Sequence, residues 1–273
     1  MKSLKNHMIL YDADCPMCKL YTSGFAKTGM LEQQGVQPYQ EMPAEICPYI
    51  DQQRAVNEIA LVDRATGEVT YGIHSLFKVL GNSLPAFQTL FACRPFIWIM
   101  TKVYAFISYN RKVIIPAAIA EDSSVLQPTF KLRYRLSYLI FTWFAASCIL
   151  TAYVPLLKEL MPVGGQYREY LICGGQIIWQ AIMIGVLAKD QKWTYLGNMM
   201  TISFAGALLL LPAMLAANYL DLPALFYTGY FLGVAGLMFL EHYRRMALLK
   251  LGVIPTASWV LYRIVLLLII LFI

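Results

Sequence analysis

Two cysteines three positions apart, Cys15 and Cys18, close the stretch Asp12-Ala13-Asp14-Cys15-Pro16-Met17-Cys18, directly after the apolar run Met8-Ile9-Leu10-Tyr11. A CxxC pair that leaves a strand and enters a helix is suited to thiol–disulfide exchange. There the first sulfur sits at a helix N-terminus, where unpaired N–H groups and the positive end of the helix dipole favour a thiolate. Cys15 is therefore the expected attacking thiol and Cys18 the resolving one, linked through a mixed disulfide. One of the two aspartates, Asp14 before Asp12, is expected to cap the helix. Proton acceptance from Cys18 is a further role open to Asp12. Pro16 falls in the first helical turn, where a missing N–H costs nothing.

Other chemistry stays open for the pair. Structural zinc takes four ligands, commonly two such pairs; the sequence has no second CxxC, and His7, His74 and His242 stand apart. A degenerate, inactive domain is a third reading. Cys47 and Cys93 read as small buried hydrophobes. Cys148 and Cys173 fall in different apolar segments and either pack there or form a pair on the outer side. Arg263 interrupts the last apolar segment. An intramembrane charge is a functional-site hypothesis by default, against the alternative that it snorkels to the inner surface. Glu241-His242 reads as the interfacial end of the fourth segment, with a proton or quinone role left open.

These side chains need elements to position them. Residues 8–12 read as a buried strand, 16–30 as a helix and 35–39 as a second strand. Residues 58–71 read as a β-hairpin turning at Arg64-Ala65-Thr66-Gly67. Short helices are expected over 73–82 and 85–92. A β-α-β unit followed by a hairpin and a helix is the element order of the thioredoxin fold. Residues 95–110 read as an amphipathic helix, packed on the domain or lying at a membrane surface. Residues 111–129 read as a connector carrying Pro116, the cluster Glu121-Asp122-Ser123-Ser124 and Pro128.

The charge distribution separates the two halves. Charged residues make up 14% of the chain, against about 25% in ordinary proteins. Residues 1–129 hold eleven Lys/Arg and eleven Asp/Glu; residues 130–273 hold eleven and five, so all of the net +6 lies in the apolar half. That points to membrane topology and away from nucleic acid. Five segments, 137–157, 170–188, 195–217, 224–240 and 256–273, approach the roughly 20 residues of a spanning helix. With the N-terminus inside, Lys131, Arg133, Arg135, Lys189, Lys192, Arg244, Arg245 and Lys250 fall on the cytosolic side and only Lys158 and Arg168 outside, as the positive-inside rule requires. The polar start of the chain does not read as a secretory signal. Gly174-Gly175 reads as close helix packing. Trp193, Tyr195, Tyr219 and Trp259 read as interface belts.

The pattern Asp12-x-x-Cys15-x-x-Cys18, preceded by Tyr11 and holding Pro16, resembles the DCC family of thiol–disulfide oxidoreductases. Thr70-Tyr71-Gly72 and Tyr104-Ala-Phe-Ile-Ser-Tyr109-Asn110-Arg111 are similar to later features of that family. The resemblance covers about residues 7–115. It implies a thioredoxin-like fold and dithiol–disulfide exchange, with Cys15 and Cys18 in the places of the two motif cysteines. Thioredoxins carry a proline before the third strand, beside the active site; here Val56-Asn57 stands there.

The expectation is an α/β thioredoxin-like domain (1–115), a connector (116–136) and an all-α transmembrane bundle (137–273). The protein is expected in a bacterial inner membrane, redox domain in the cytosol and C-terminus outside. Expected partners are protein or small-molecule thiols and disulfides, and membrane lipid, with no nucleic acid. No cofactor is required, although a quinone fits a redox relay. The alternative is a transporter, scaffold or quinone-linked relay whose CxxC domain is a sensor or metal-binding module.

Overall fold

The structure, a computed structural model, describes residues 2–42, 48, 50–117, 127–162 and 164–272. Cys47 and residues 118–126 of the expected connector lie outside the described residues. The chain forms two units, Met1–Tyr134 and Arg135–Ile273.

The first unit is built on four strands, β1 (His7–Tyr11), β2 (Val36–Pro38), β3 (Ala60–Asp63) and β4 (Val69–Tyr71), in the order β2-β1-β3-β4. β1 runs parallel to β2 and antiparallel to β3, and β3 pairs antiparallel with β4. Successive strand side chains point to opposite faces, and both faces of β1 are covered. Met8 and Leu10 pack with Ala60 and Val62 on one side. Ile9 packs with Leu31, Leu61 and Val79 on the other. An unbroken apolar run is what a strand buried on both faces needs.

The helices of this unit are α1 (Pro16–Lys27), α2 (Gln52–Asn57), α3 (Ile73–Ser83), α4 (Gln88–Ala92) and α5 (Arg94–Ile114). α2 was not expected. Its cap is Asp51, whose carboxylate accepts from the Arg54 N–H at 2.9 Å. The Val56-Asn57 step before β3 is thus the last turn of a helix. α5 is two-faced: Trp98, Ile99, Val103 and Ile107 are exposed, while Asn110, Arg111 and Val113 are buried. It reaches the apolarity of a span only together with residues 85–92, from which it is bent by 89°.

The second unit contains α6 (Leu132–Tyr153) from Arg135 onward, α7 (Arg168–Leu187), α8 (Lys192–Ala216), α9 (Ala224–Leu248) and α10 (Ile254–Phe272). Among the described residues, five helices are long and apolar enough to cross a membrane, or six if the bent pair of 85–92 and α5 is one span. The fourth is longer than expected, running 25 residues to Leu248. Glu241 pairs with Arg244 and Arg245 one turn ahead, which sustains a helix through charged sequence. α8 buries every residue from Tyr195 to Ile202, as a helix covered on all sides does. Tyr195 and Trp259, read as belt residues, instead join the buried cluster with Met199, Met200 and Met246. Gly174 and Gly175 serve close packing: a Cβ on Gly174 would lie 3.3 Å from Trp143 Nε1, and one on Gly175 would strike the Tyr262 hydroxyl.

Candidate redox site

The motif lies where β1 ends. The Cys15 N–H donates to the Asp12 carbonyl at 3.1 Å, closing the turn into α1. Cys15 is itself the N-cap, with extended backbone (φ −105°, ψ 103°), and its sulfur accepts from the Cys18 N–H at 3.4 Å. This corrects the expectation that Asp14 caps the helix. Asp14 lies one residue too early, and its own N–H donates to Asp12 Oδ1 at 3.0 Å. The thiol therefore occupies the place of a capping oxygen, where the first-turn N–H groups stabilise negative charge. Pro16 starts the helix, and Tyr11 ends β1 opposite Pro38.

The two sulfurs differ in acidity. The Cys15 thiol is lowered from 9.0 to about 7, first by the hydrogen bond from the Cys18 side chain. Burial opposes this, and the Arg111 guanidinium adds to it. The Cys18 thiol is raised, first by that same bond and then by burial. One sulfur is thus poised as a nucleophile and the other holds the proton.

Asp12 is buried and fully engaged. Its Oδ2 accepts from Arg111 Nη2 at 3.1 Å. Its Oδ1 accepts from the Asp14 N–H and from Gln40 Nε2, the latter at 3.2 Å. Taking a proton from Cys18 would require loosening the Arg111 pair.

Arg111, near the end of α5, closes the 104–111 stretch that carries part of the family resemblance; sequence reasoning assigned it no role, and the structure brings it to the motif. Beyond Asp12, its Nη2 donates to the Val56 carbonyl at 2.6 Å and its Nη1 to the Asn57 carbonyl at 3.1 Å. Ser108 Oγ also donates to the Asn57 carbonyl, at 2.6 Å, and the Ile59 N–H donates to the Tyr104 hydroxyl at 3.1 Å. Residues 104, 108 and 111 follow helical i, i+4, i+7 spacing and share one face; that spacing was the available signal. Gly72, at φ +62°, donates its N–H to the Ile59 carbonyl and lies against Tyr104. A side chain there is strained in that conformation.

Both sulfurs are closed off, Cys15 at 0% exposure and Cys18 at 2%, so exchange needs local opening. Gln40 ties the loop ahead of Cys15: its Oε1 accepts from the Ala13 N–H at 3.1 Å while its Nε2 holds Asp12. Replacing Gln40 by alanine removes two hydrogen bonds, each contributing about 1 kcal/mol or less. Cys15 labelling by a small alkylating reagent should then accelerate severalfold; an unchanged rate would show that opening occurs elsewhere.

The remaining sequence candidates do not join this site. Cys93 is exposed at the start of α5, contrary to the buried reading, because it serves as the N-cap there rather than on a packed face. Cys148 and Cys173 are both free thiols, and the Cys148 sulfur lies 2.9 Å from the Tyr170 hydroxyl. His242 is fully buried, its Nδ1 3.0 Å from Thr256 Oγ1 and its ring stacked on Trp259. α9 does not end there but continues to Leu248. The Arg263 guanidinium lies 3.7 Å from the centre of the Trp259 ring. Among the described residues no three His, Cys, Asp or Glu gather as metal ligands.

The fold and the cysteine pair define the class: a thioredoxin-like domain with a CxxC pair, fused to a multi-span helical bundle. Searches of protein-family models, curated proteins and solved structures returned no match to this chain.

Proposed function

We propose that this chain is a membrane-anchored thiol–disulfide oxidoreductase of the DCC type, with its Cys15-Pro16-Met17-Cys18 motif in the cytosol. The observation that carries this reading is the unequal pair, a capping Cys15 sulfur ionising near pH 7 beside a Cys18 thiol that keeps its proton. The Cys15 thiolate attacks a disulfide; its sulfur–sulfur bond breaks and one substrate thiolate leaves. Cys18 then gives up its proton and attacks Cys15 in the mixed disulfide, releasing the second substrate thiolate. The dithiol loses two electrons as the Cys15–Cys18 bond forms, and the substrate disulfide gains them. The same steps in reverse oxidise a substrate dithiol.

The test is stoichiometric. Reduced full-length protein in detergent should release two thiol equivalents from a small-molecule disulfide per Cys15–Cys18 bond formed. Release of none would sink the reading. Orientation has its own test. In intact cells expressing a variant that keeps Cys93 alone, a membrane-impermeant maleimide should label that exposed thiol only after lysis. Labelling before lysis would place the domain outside.

A second reading, a quinone-linked relay, draws on His242, Trp259 and Arg263 in contact within the bundle. Buried ionisable groups among spanning helices mark functional pathways more often than not. Quinone co-purifying with the full-length protein, and lost on His242→Ala, would favour it.

A further inference from the structure

We propose that Arg111 is the positioning residue of the dithiol: it fastens the segment before β3 against the CxxC loop and supplies the positive charge that the exchanging sulfurs face. The inference rests on the oxidoreductase reading and assigns the residue that organises that site.

The argument begins with α2. The last carbonyls of any helix have no partner within it. In α2 these include Val56 and Asn57, and Arg111 takes both. A guanidinium is suited to a helix C-terminus by charge as well as by its fork of donors. On its other side the same group grips Asp12, whose Oδ1 organises the loop leading into Cys15. One side chain thereby joins the β1–α1 loop, the end of α2 and α5.

Arg111 also has a donor to spare. Its Nε is buried and has no hydrogen-bond partner among the described residues. Its charge acts on both sulfurs, Cys18 more than Cys15. Cys18 must lose its proton for the mixed disulfide to resolve, while burial works against its anion. The other titratable groups acting on the pair are Asp12 from the loop, Tyr21 from α1, Tyr39 from the turn at 39–41 and Tyr104 from α5; Asp14 adjoins Cys15 in the same loop. Tyrosines are neutral at pH 7, so the fixed charges are Arg111 against the aspartates. Asp12 opposes Arg111 at Cys15.

That opposition makes the proposal testable. If the Arg111–Asp12 pair only holds the fold together, removing either partner has the same effect. If it acts by charge, the two removals act in opposite directions. The measurement is the pH dependence of Cys15 alkylation in reduced full-length protein in detergent, followed at the Cys15 peptide by mass spectrometry. Turnover of a small-molecule disulfide is measured alongside. Arg111→Met should raise the labelling midpoint by about one pH unit; the roughly fivefold loss of thiolate at pH 7 is offset about threefold by the higher nucleophilicity of the less acidic sulfur, leaving labelling about twofold slower. Asp12→Asn should lower the midpoint. Arg111→Lys keeps the charge but lacks the fork; its midpoint should stay near that of the unmutated protein while turnover falls.

Midpoints of Arg111→Met and Asp12→Asn that are both unchanged, or that move in the same direction, overturn the proposal. Should Arg111→Met fail to fold, Arg111→Lys and Asp12→Asn still decide: an unchanged or raised midpoint in Asp12→Asn, or undiminished turnover in Arg111→Lys, overturns it. If the unmutated protein turns over no disulfide, the oxidoreductase reading fails instead, and the midpoints still report whether Arg111 sets the sulfur charge.

Discussion

Replacing Cys18 by serine should turn turnover into trapping. The variant keeps Cys15 at the helix cap, so attack on a disulfide still forms a mixed disulfide. Without the second sulfur nothing resolves it, and the adduct should persist on a non-reducing gel until an external thiol is added. With the exposed Cys93 replaced by serine in both variants, replacing Cys15 by serine should abolish both turnover and adduct, leaving only the uncatalysed background. The variants also differ in pH behaviour. The hydrogen bond from Cys18 is the largest influence lowering the Cys15 thiol, so Cys18→Ser should change the pH at which Cys15 is captured, whereas Cys15→Ser should show no capture at any pH. Equal adduct formation in the two variants would mean that the roles of the sulfurs are misassigned.

The second large effect is the pH profile itself. With the Cys15 thiol lowered from 9.0 to about 7, roughly half is ionised at pH 7, against about 1% for an unshifted thiol. The gain of about 50-fold in thiolate is offset by weaker nucleophilicity, because reactivity falls with acidity at a slope near 0.4–0.5. A shift of two units costs about eightfold that way, leaving a net advantage of about sixfold over an unshifted thiol once opened. Labelling should plateau above pH 8 and fall tenfold per unit well below 7. The sign for stability follows. A group whose folded value lies below its unfolded one stabilises above the unfolded value and loses that contribution as pH falls through the folded one. The reduced protein should therefore lose this contribution between pH 9 and 7. A labelling midpoint near 9 would remove the basis for a nucleophilic Cys15.

Much of this was legible in the chain, for identifiable reasons. The apolar run at 8–11 reads as a strand because a strand buried on both faces has no alternation to display. The hairpin reads from a polar turn between two short apolar segments, and its pairs are Ala60 with Tyr71, Leu61 with Thr70 and Val62 with Val69. The missed α2 had a local signal, Asp51 three residues before Arg54, but six residues give too little periodicity to register. α9 was expected to stop at its charges. Hydropathy sees charges as an end, whereas Glu241 and its two arginines satisfy one another along the helix surface.

By itself the sequence determined what depends on near neighbours: a CxxC at a strand-to-helix junction, a sheet-forming half, and five apolar lengths that only a hydrocarbon-sized layer requires. Tertiary structure alone decided which distant groups meet. Arg111 reaches Asp12 across 99 positions and Gln40 reaches it across 28, and no local period carries such pairings. Whether a side chain is buried is decided the same way. His242 and Trp259 lie inside the bundle because of the neighbours that fold against them, not because of their own flanking residues.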